Sequence, residues 1–385
     1  MKTNAGFWVP TLSAGSAVTV VALPAFLVGA FAPAIKNDLG IGATGLGVLF
    51  SIGALTAAAS LQLGGSLADR AGARRGIRVG LMLTSVGALA LGLLAESLVV
   101  AAAAFVITRA GGGICQPAAN TLISDAVPTA MRGRAMGYKH AAVPFAVALA
   151  GFSVPTLGDA LGWRGVMVLL AFMVVPVWLA QPHVAVPTRT TPAARRELWT
   201  QRHLRMGAIA GGFAGASVST VVGFLTVAVV ARGFSEAAAG LLLTAGAVVM
   251  ILARIGWGFL ADRRPFDRFR AAGLLLAAGS TSYVLLAVGS EASMIAGTIL
   301  AFGVGWSWPG LLMLGLIEQH PNEPGTATAI VQTGIRLGVL VSPLAFGVVV
   351  DQWGFRPAWL LSFGYAMIAS VLMLMTSASV RARTA

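Results

Sequence analysis

Residues 65–75 read Gly-Ser-Leu-Ala-Asp-Arg-Ala-Gly-Ala-Arg-Arg, and residues 258–263 repeat the start of this stretch as Gly-Phe-Leu-Ala-Asp-Arg. Each charged cluster lies between two apolar segments that are long enough to cross a bilayer. The two copies of Leu-Ala-Asp-Arg are 193 residues apart, about half of a chain of 385 residues. This spacing predicts a duplicated membrane protein whose halves join near the middle.

The composition supports a membrane protein. The chain is 57% hydrophobic and only 10% charged, with a mean hydropathy of +0.86, whereas soluble domains carry about 25% charged residues. The long apolar runs do not alternate as the strands of a membrane barrel do. We therefore predict an all-α membrane protein with twelve transmembrane helices, near residues 12–33, 45–66, 77–95, 98–124, 136–158, 163–181, 207–230, 238–261, 271–289, 293–317, 325–350 and 356–378.

The chain divides into two parallel halves. Residues 182–206 are rich in proline and arginine and read as a basic cytoplasmic linker between a bundle at 1–181 and a bundle at 207–385. Asp159-x-x-Gly162-Trp-Arg recurs as Asp351-x-x-Gly354-Phe-Arg, 192 residues later. Every such match joins helix n to helix n + 6, so the two six-helix repeats share one orientation. Parallel repeats of this kind place a substrate site in a central cavity near the membrane midplane.

The basic residues predict the orientation. If both termini are cytoplasmic, nineteen of the 26 Lys and Arg residues lie on the cytoplasmic side, four lie outside and three lie within helices. This bias follows the positive-inside rule, so the net charge of +13 needs no nucleic-acid partner. We expect a multi-pass protein of the cytoplasmic (inner) membrane. Its single cysteine, Cys115, excludes an intrachain disulfide framework and a multi-cysteine metal site.

Two motifs resemble the signatures of the major facilitator superfamily. The pattern Gly-x-x-x-Asp-Arg/Lys-x-Gly-x-Arg/Lys-Arg/Lys between helices 2 and 3 is met in full by residues 65–75, and Arg109-Ala-Gly-Gly-Gly113 resembles the glycine-rich signature of helix 4. In the second half, Pro265 replaces the later glycine. The resemblance covers the whole chain and implies a secondary transporter, with a monomer as the default state. It does not name the cargo, because this fold carries sugars, acids, drugs, nucleosides and peptides.

The repeated charge cluster is predicted to form a cytoplasmic gate, as the resemblance implies. Asp69 would face the start of helix 11, and its repeat counterpart would face the start of helix 5. A carboxylate near a helix N-terminus gains about 0.3–1 kcal/mol from the dipole, and the two leading glycines would permit close helix approach. Alternatively, these charges only anchor loops. The predicted gate comprises Gly65, Asp69, Arg70, Gly72, Arg74, Gly258, Asp262 and Arg263.

The interior charges are all of one sign. Arg109, Arg254 and Arg336 fall within predicted helices 4, 8 and 11, while all thirteen acidic residues map to helix ends or loops. An ionisable residue inside a membrane helix costs roughly 2.5–3.5 kcal/mol on insertion scales, so it indicates function. A cavity that holds buried cations and no buried acid favours an anionic ligand.

Arg336 is the strongest candidate ligand, because it is far from either end of its helix. Gln332 lies one turn before it, and the repeat offset of 192 makes His140 the counterpart of Gln332. His140 is therefore predicted to lie across the cavity from Arg336, and it could carry a proton. Lys139 either joins this site or extends to the cytoplasmic headgroups.

The other candidates carry two interpretations each. Arg109 shares a helical stripe with Gln116 and Asn120, but its motif occurs in transporters of unrelated substrates. Arg254, four residues before Gly258, resembles the helix-8 arginine that pairs with the substrate carboxylate in monocarboxylate and oxalate/formate-type porters. It could instead be a structural partner of the gate.

Helix 10 is predicted to bend, since it contains Gly303-Val-Gly-Trp306-Ser-Trp308-Pro309. The two tryptophans are too deep for an interfacial belt. They are either walls of the substrate site or packing and lipid-facing aromatics.

Two functions remain open. The first is transport of a small organic anion, such as a carboxylate, by alternating access in the lipid bilayer. It would need no cofactor and would be driven by a proton or counter-anion gradient. The second is proton-coupled efflux of drug-like or hydrophobic compounds, although helix 5 (residues 138–151) lacks the Gly-x-x-x-Gly-Pro-x-x-Gly-Gly motif usual in such antiporters. An enzyme is not expected, because the sequence offers no nucleotide-binding loop, metal cluster or Ser-His-acid arrangement.

Overall fold

The computed structural model describes residues 2–128, 131–183, 200–320 and 324–384. These residues are helical throughout, apart from turns and short connections, and they contain no β-strand. Eleven of their helices, with Glu291–Gln319 counted as one, are long and apolar enough to cross a membrane. The predicted all-α membrane fold is confirmed at this level.

The helices are numbered in chain order. Their bounds are α1 Lys2–Ala30, α2 Ala32–Leu39, α3 Ala43–Ala71, α4 Ala73–Leu94, α5 Leu98–Ala126, α6 Arg132–Leu179, α7 Arg202–Val230, α8 Glu236–Arg263, α9 Arg268–Val288, α10 Glu291–Leu300, α11 Trp308–Gln319, α12 Pro324–Trp353 and α13 Phe355–Thr384, with a π-helical segment at Ala301–Gly305 between α10 and α11.

Glycine breaks α6 where the sequence predicts a boundary between two spans. The element has 48 residues, which at 1.5 Å per residue would extend about 70 Å, more than twice the hydrocarbon thickness. Gly162 interrupts it with φ 61° and ψ 176°, a conformation that suits glycine. Its repeat counterpart Gly354, with φ 84°, separates α12 from α13. The duplicated Asp-x-x-Gly motif is thus a helix-breaking turn in both halves.

The chain forms two compact units. Unit 1 comprises Met1–Ile41, Val48–Thr191 and Glu236–Thr244, and unit 2 comprises Gly42–Gly47, Pro192–Ser235 and Ala245–Ala385. Two helices are therefore shared: the first turn of α3 belongs to unit 2, and the first residues of α8 belong to unit 1. The predicted linker ends at residue 206, but α7 already begins at Arg202. Linker residues 184–199 lie outside the described part of the chain.

In unit 1, the glycine-rich run that follows Arg109 packs α5 against two neighbours. A Cβ at Gly111 would overlap the carbonyl oxygen of Gly80 in α4, and a Cβ at Gly113 would lie 2.5 Å from the carbonyl oxygen of Ala57 in α3. Small residues at such contacts let membrane helices approach closely. The motif therefore fixes the position of α5 and, with it, the backbone that carries Arg109.

In unit 2, α12 packs on α7 through the two glycines that flank Arg336. A Cβ at Gly334 would overlap the carbonyl oxygen of Ala208, and a Cβ at Gly338 would overlap that of Gly212. A helix turns about 100° per residue, so a residue two positions from each glycine lies on the opposite side of the helix. Arg336 therefore points away from α7.

Candidate functional site

Each interior arginine predicted from the sequence lies in the middle part of a long helix. Arg109 is in α5 of unit 1, and Arg254 and Arg336 are in α8 and α12 of unit 2. Each side chain is half-buried. Among the described residues, no hydrogen bond or ion pair links any of the three to another residue.

Three ion pairs between described residues lie at helix ends. They are Arg164–Asp38 at 2.9 Å, Arg268–Glu318 at 3.4 Å and Arg381–Asp267 at 3.6 Å. A guanidinium offers five N–H donors, and burying donors without acceptors is costly. The three interior arginines consequently present donors that suit an anionic or strongly polar ligand.

Arg109 is accommodated by a glycine on α3. A Cβ at Gly53 would lie 3.0 Å from Cγ of Arg109, so only a glycine at that position leaves full room for the stem of the arginine. Gln116, predicted to share its stripe, is half-buried two turns further along α5. This part of the predicted site lies within unit 1.

Lys139 and Asn120 contact each other. Nζ of Lys139 donates to Oδ1 of Asn120 at 2.7 Å, and the lysine is only 2% exposed. This burial does not fit the alternative in which Lys139 extends to the headgroups. His140, the next residue, is exposed on α6. The sequence identified all three residues, but it did not predict that the lysine and the asparagine pair.

Arg254 and Trp306 also contact each other. Cζ of Arg254 lies 5.8 Å from the ring centroid of Trp306, within the distance at which cations and aromatic faces attract. The Nε–H of Arg254 is buried and has no acceptor among the described residues. Trp306 follows the π-helical segment 301–305 and lies 5.6 Å from Phe302, centroid to centroid. The bend predicted for helix 10 is therefore next to Trp306, the aromatic partner of Arg254.

Trp308 differs from Trp306. It is 2% exposed and belongs to the hydrophobic core of unit 2, which also includes Leu312 and Leu276. Of the two interpretations that the sequence left open, its position favours packing rather than a wall of the substrate site.

Gln332 and Arg336 lie one turn apart on the side of α12 that faces away from α7. Gln332 is exposed, and its Nε2 lies 3.8 Å from Sδ of Met313. Together they form a polar patch on this face, as the helical spacing predicts.

Two residues of the predicted gate have clear structural roles. Gly72 has φ 87° and separates α3 from α4, a backbone conformation that other residues adopt only with strain. Arg74 donates through Nε to the carbonyl oxygen of Gln181 at 3.0 Å and bonds to His183. These contacts tie α4 to the end of α6 within unit 1. For Arg74, these contacts agree with the alternative to the gate, in which the charged residues of the motif only anchor loops.

The predicted close approach at Gly65 and Gly258 is not found. A Cβ at either position would meet no atom within 4 Å. At the first cluster the contact belongs to Gly64, where a Cβ would lie 2.6 Å from the carbonyl oxygen of Ile114. One residue shifts the direction by about 100° around a helix, which explains the difference.

The latch itself remains a prediction. Asp69 and Arg70 are exposed at the end of α3, and Arg263 lies over the ring of Phe259 at 5.1 Å. The side chain of Asp262 and those of residues 324–326 lie outside the described part of the chain.

In the described ranges, no three His, Cys, Asp or Glu side chains come together as an ion would require.

A profile of the Major Facilitator Superfamily matches residues 14–329, which is most of the chain. Three curated proteins give sequence matches. The chain is 23% identical to the hexuronate transporter of Bacillus subtilis over 376 residues, which cover 89% of this chain and 88% of that protein. It is 30% identical to the probable sulfoacetate transporter SauU of Cupriavidus necator over 139 residues, 36% of this chain and 32% of that protein. It is 28% identical to the multidrug resistance protein MdtG of Serratia proteamaculans over 192 residues, 48% and 46% of the two chains. The chain thus spans less than half of the last two.

Solved structures share the fold. A bacterial homologue of the human lysosomal transporter Spinster, in an inward-facing and unoccupied conformation, gives a TM-score of 0.73 at 17% identity, covering 96% of this chain and 95% of the other. The nucleoside transporter NupG gives a TM-score of 0.79 at 12% identity, covering 96% and 99%. At these identities the likeness concerns the fold alone.

Proposed function

The chain belongs to the Major Facilitator Superfamily, and from that premise we propose that it is a secondary active transporter of a small organic anion. Its curated relatives are transporters, which supports membrane transport rather than enzyme catalysis. The proposed substrate carries a carboxylate or a similarly shaped acid group. It crosses the cytoplasmic membrane by alternating access, in a monomer.

The proposal rests on the three interior arginines, whose donors are not paired with acids in the described part of the chain. Arg109, Arg254 and Arg336 have no acid partner among the described residues. A guanidinium presents a planar fork of donors that matches a carboxylate in two parallel hydrogen bonds. A ligand that supplied two acceptor oxygens would satisfy donors that the described protein leaves open.

Two relatives support an anionic cargo. The hexuronate transporter and the probable sulfoacetate transporter are named for acids that are ionised at neutral pH. The multidrug protein, by contrast, supports the alternative function, which is proton-coupled efflux of drug-like compounds. Such an antiporter commonly needs an acid embedded in the membrane, and the sequence offers none.

The proposed topology has twelve crossings in two parallel repeats. The eleven long helices become twelve when the two arms of α6, on either side of Gly162, are counted separately. The bias of Lys and Arg supports cytoplasmic termini. Arg109 belongs to unit 1, and Arg254 and Arg336 belong to unit 2. A proton or counter-anion gradient would drive transport.

The test is a ligand screen followed by flux. Purified protein is screened by thermal shift against a hexuronate, sulfoacetate, simple monocarboxylates and cationic dyes. Compounds that stabilise it are then measured for uptake into proteoliposomes under imposed pH and voltage gradients. We expect stabilisation and uptake with at least one acid. Stabilisation by the cationic dyes alone would reject an anionic substrate and favour drug efflux.

A further inference from the structure

The first turn of α3 lacks a cap of its own. The helix begins at Ala43, and the residues before it, 40–42, are Gly-Ile-Gly. None of these has a side-chain oxygen that could accept a hydrogen bond from the exposed N–H groups of the first turn, as Ser, Thr, Asp or Asn at the N-cap would. The helix also has no acidic residue in that turn. Its N-terminus therefore needs an acceptor from elsewhere in the chain.

Asp351 supplies this acceptor from the end of α12, about 300 residues away. Its Oδ1 accepts the backbone N–H of Ala43 at 2.8 Å, and its Oδ2 accepts that of Thr44 at 2.7 Å. Both hydrogen bonds are charge-assisted, and the carboxylate also lies at the positive end of the helix dipole. Both partners belong to unit 2. The carboxylate holds the first turn of α3 on α12.

The backbones of α3 and α12 are also in close contact next to these hydrogen bonds. A Cβ at Gly47 would lie 2.5 Å from the carbonyl oxygen of Pro343, and a Cβ at Gly347 would overlap that of Ala43. A Cβ at Gly42 would lie 2.7 Å from Oδ2 of Asp351. We call this junction, residues 42–47 with residues 343–351, the α3–α12 seam.

The seam continues the face of α12 that carries Arg336. Residues 343, 347 and 351 follow Arg336 at intervals of 7, 11 and 15, which at about 100° per residue keeps all of them within about 60° of one line along the helix. Under the proposed topology, Asp351 therefore closes the extracellular end of the surface that presents Arg336 to the substrate.

The duplicated junction is built differently. Gly151 and Gly240 are also in close contact, since a Cβ at either would lie 2.6 Å from the carbonyl oxygen of the other. However, α8 carries Glu236 in its own first turn. Asp159, the repeat counterpart of Asp351, makes no hydrogen bond to the described residues. Among the described residues, a carboxylate of the partner helix accepts hydrogen bonds from the first turn of α3, whereas Asp159 makes no such contact with α8.

We propose that Asp351 is the lock of an extracellular gate: it fastens the first turn of α3 to α12 and must release it each time the transporter opens outward. The proposal rests on the proposed function, because alternating access requires an extracellular seam that opens. Opening is feasible because water can take over both backbone donors at this helix end. The lock therefore holds the closed state without preventing the cycle.

Hydrogen exchange tests the lock without any substrate. We compare the intact wild-type protein in lipid nanodiscs with Asp351→Ala, Asp351→Asn and the matched control Asp159→Ala. Loss of two charge-assisted hydrogen bonds should speed amide exchange in the peptide spanning 40–47 roughly tenfold or more. Asp351→Asn, which keeps one acceptor, should give a smaller increase and serves as the test if the alanine variant does not fold. Exchange within α4 should not change. Unchanged exchange at 40–47, or an equal increase in Asp159→Ala, would overturn the proposal.

A second measurement separates a gate from a merely structural cap. Ala43, which is fully buried, is replaced by cysteine in a Cys115→Ala background, and an impermeant thiol reagent is applied from outside right-side-out vesicles. Ala43→Cys keeps its backbone N–H, so the contact with Asp351 can still form. Labelling should be several-fold faster when Asp351→Asn is added. Equal labelling rates would reject the gate. Because neither experiment uses a substrate, the lock can fail while anion transport stands, and the reverse.

Discussion

Arg336 illustrates how one side chain determines the proposed cargo. It points away from α7 because the glycines on either side of it form the packing face of α12, and no described residue pairs with it. We expect Arg336→Ala to reduce anion uptake into proteoliposomes by roughly tenfold to hundredfold, since a hydrogen bond to a charged group contributes about 1.5–3 kcal/mol.

The matched control for this prediction is Arg356→Ala, because Arg356 is an exposed arginine at the start of α13. It should leave uptake unchanged. Arg336→Lys should recover only part of the activity, since an ammonium lacks the planar fork. Full uptake by Arg336→Ala, in protein that still folds and inserts, would remove Arg336 from the site.

Gly72 and Gly65 allow a matched comparison within the sequence motif. Gly72 has φ 87°, and a non-glycine residue in the left-handed region costs roughly 1–2 kcal/mol. Gly65 is helical, and a Cβ there would meet nothing within 4 Å. Gly72→Ala should therefore lower the thermal unfolding temperature, whereas Gly65→Ala should leave it unchanged or raise it. A lower temperature for Gly65→Ala would mean that this position packs tightly after all.

The interior arginines could be predicted from the sequence because a charge inside an apolar run is conspicuous whatever the packing. Their surroundings could not. The bond between Lys139 and Asn120 depends on how α5 and α6 are rotated about their axes, which single-helix periodicity does not give. Trp306 and Trp308 are two residues apart, and one contacts Arg254 whereas the other lies in the core. The π-helical segment before them changes the helical phase on which a prediction would rely.

At the scale of helices, the packing of α12 on α7 depends on the absence of two side chains. A Cβ at Gly334 or Gly338 would overlap a carbonyl oxygen of α7, which is backbone and cannot move aside as a flexible side chain can. We expect Gly334→Ala and Gly338→Ala each to destabilise the protein by about 1–3 kcal/mol, the usual range for overpacking. Thermal or denaturant unfolding of the purified protein measures this change.

Gly364→Ala in α13 is the control, because a Cβ at Gly364 would meet no atom within 4 Å. It should be neutral or slightly stabilising, since alanine favours helix more than glycine does. If the three variants unfolded alike, the close contact between α7 and α12 would not be a source of stability.

Helix cores were predictable, and helix ends were not. The predicted spans follow the hydrophobic stretches, but α3 extends from 43 to 71 instead of 45 to 66, and α7 begins at 202 instead of 207. Helices continue past the apolar stretch because polar residues can propagate a helix in water. The role of Asp351 was also missed, because its partner lies about 300 residues earlier in the chain. The signal that could have revealed it was the uncapped Gly-Ile-Gly before α3.

At the scale of the molecule, the repeat predicted from the sequence has local counterparts in the structure. The offset of 192–193 residues links Gly162 to Gly354, both of which have a positive φ. It also links the starts of α3 and α8. The first turn of α3 belongs to unit 2, and the first residues of α8 belong to unit 1. The interior arginines have no basic counterpart in the opposite repeat. The predicted repeat agrees with these helix breaks and helix starts, whereas the proposed specificity depends on residues that the repeat does not duplicate.

The uncompensated positive charge predicts how the transporter cycles. Without an acid partner for the interior arginines among the described residues, the empty protein would carry net positive charge across the membrane when it reorients, whereas the anion-loaded protein would carry less. Moving one charge against a potential costs about 2.3 kcal/mol per 100 mV. Reorientation of the empty form should therefore be the slow and voltage-sensitive step.

We accordingly expect exchange to be faster than net uptake. Proteoliposomes preloaded with an anion that the ligand screen has identified should take up labelled anion several-fold faster than empty vesicles. The membrane potential should affect net uptake strongly and exchange weakly, because exchange avoids the empty form. Vesicles preloaded with an uncharged sugar provide the control and should behave as empty ones. If empty and anion-loaded vesicles took up substrate equally fast at every potential, the interior charge would have to be neutralised by some other group, such as a proton lost from the protein or a bound counter-ion.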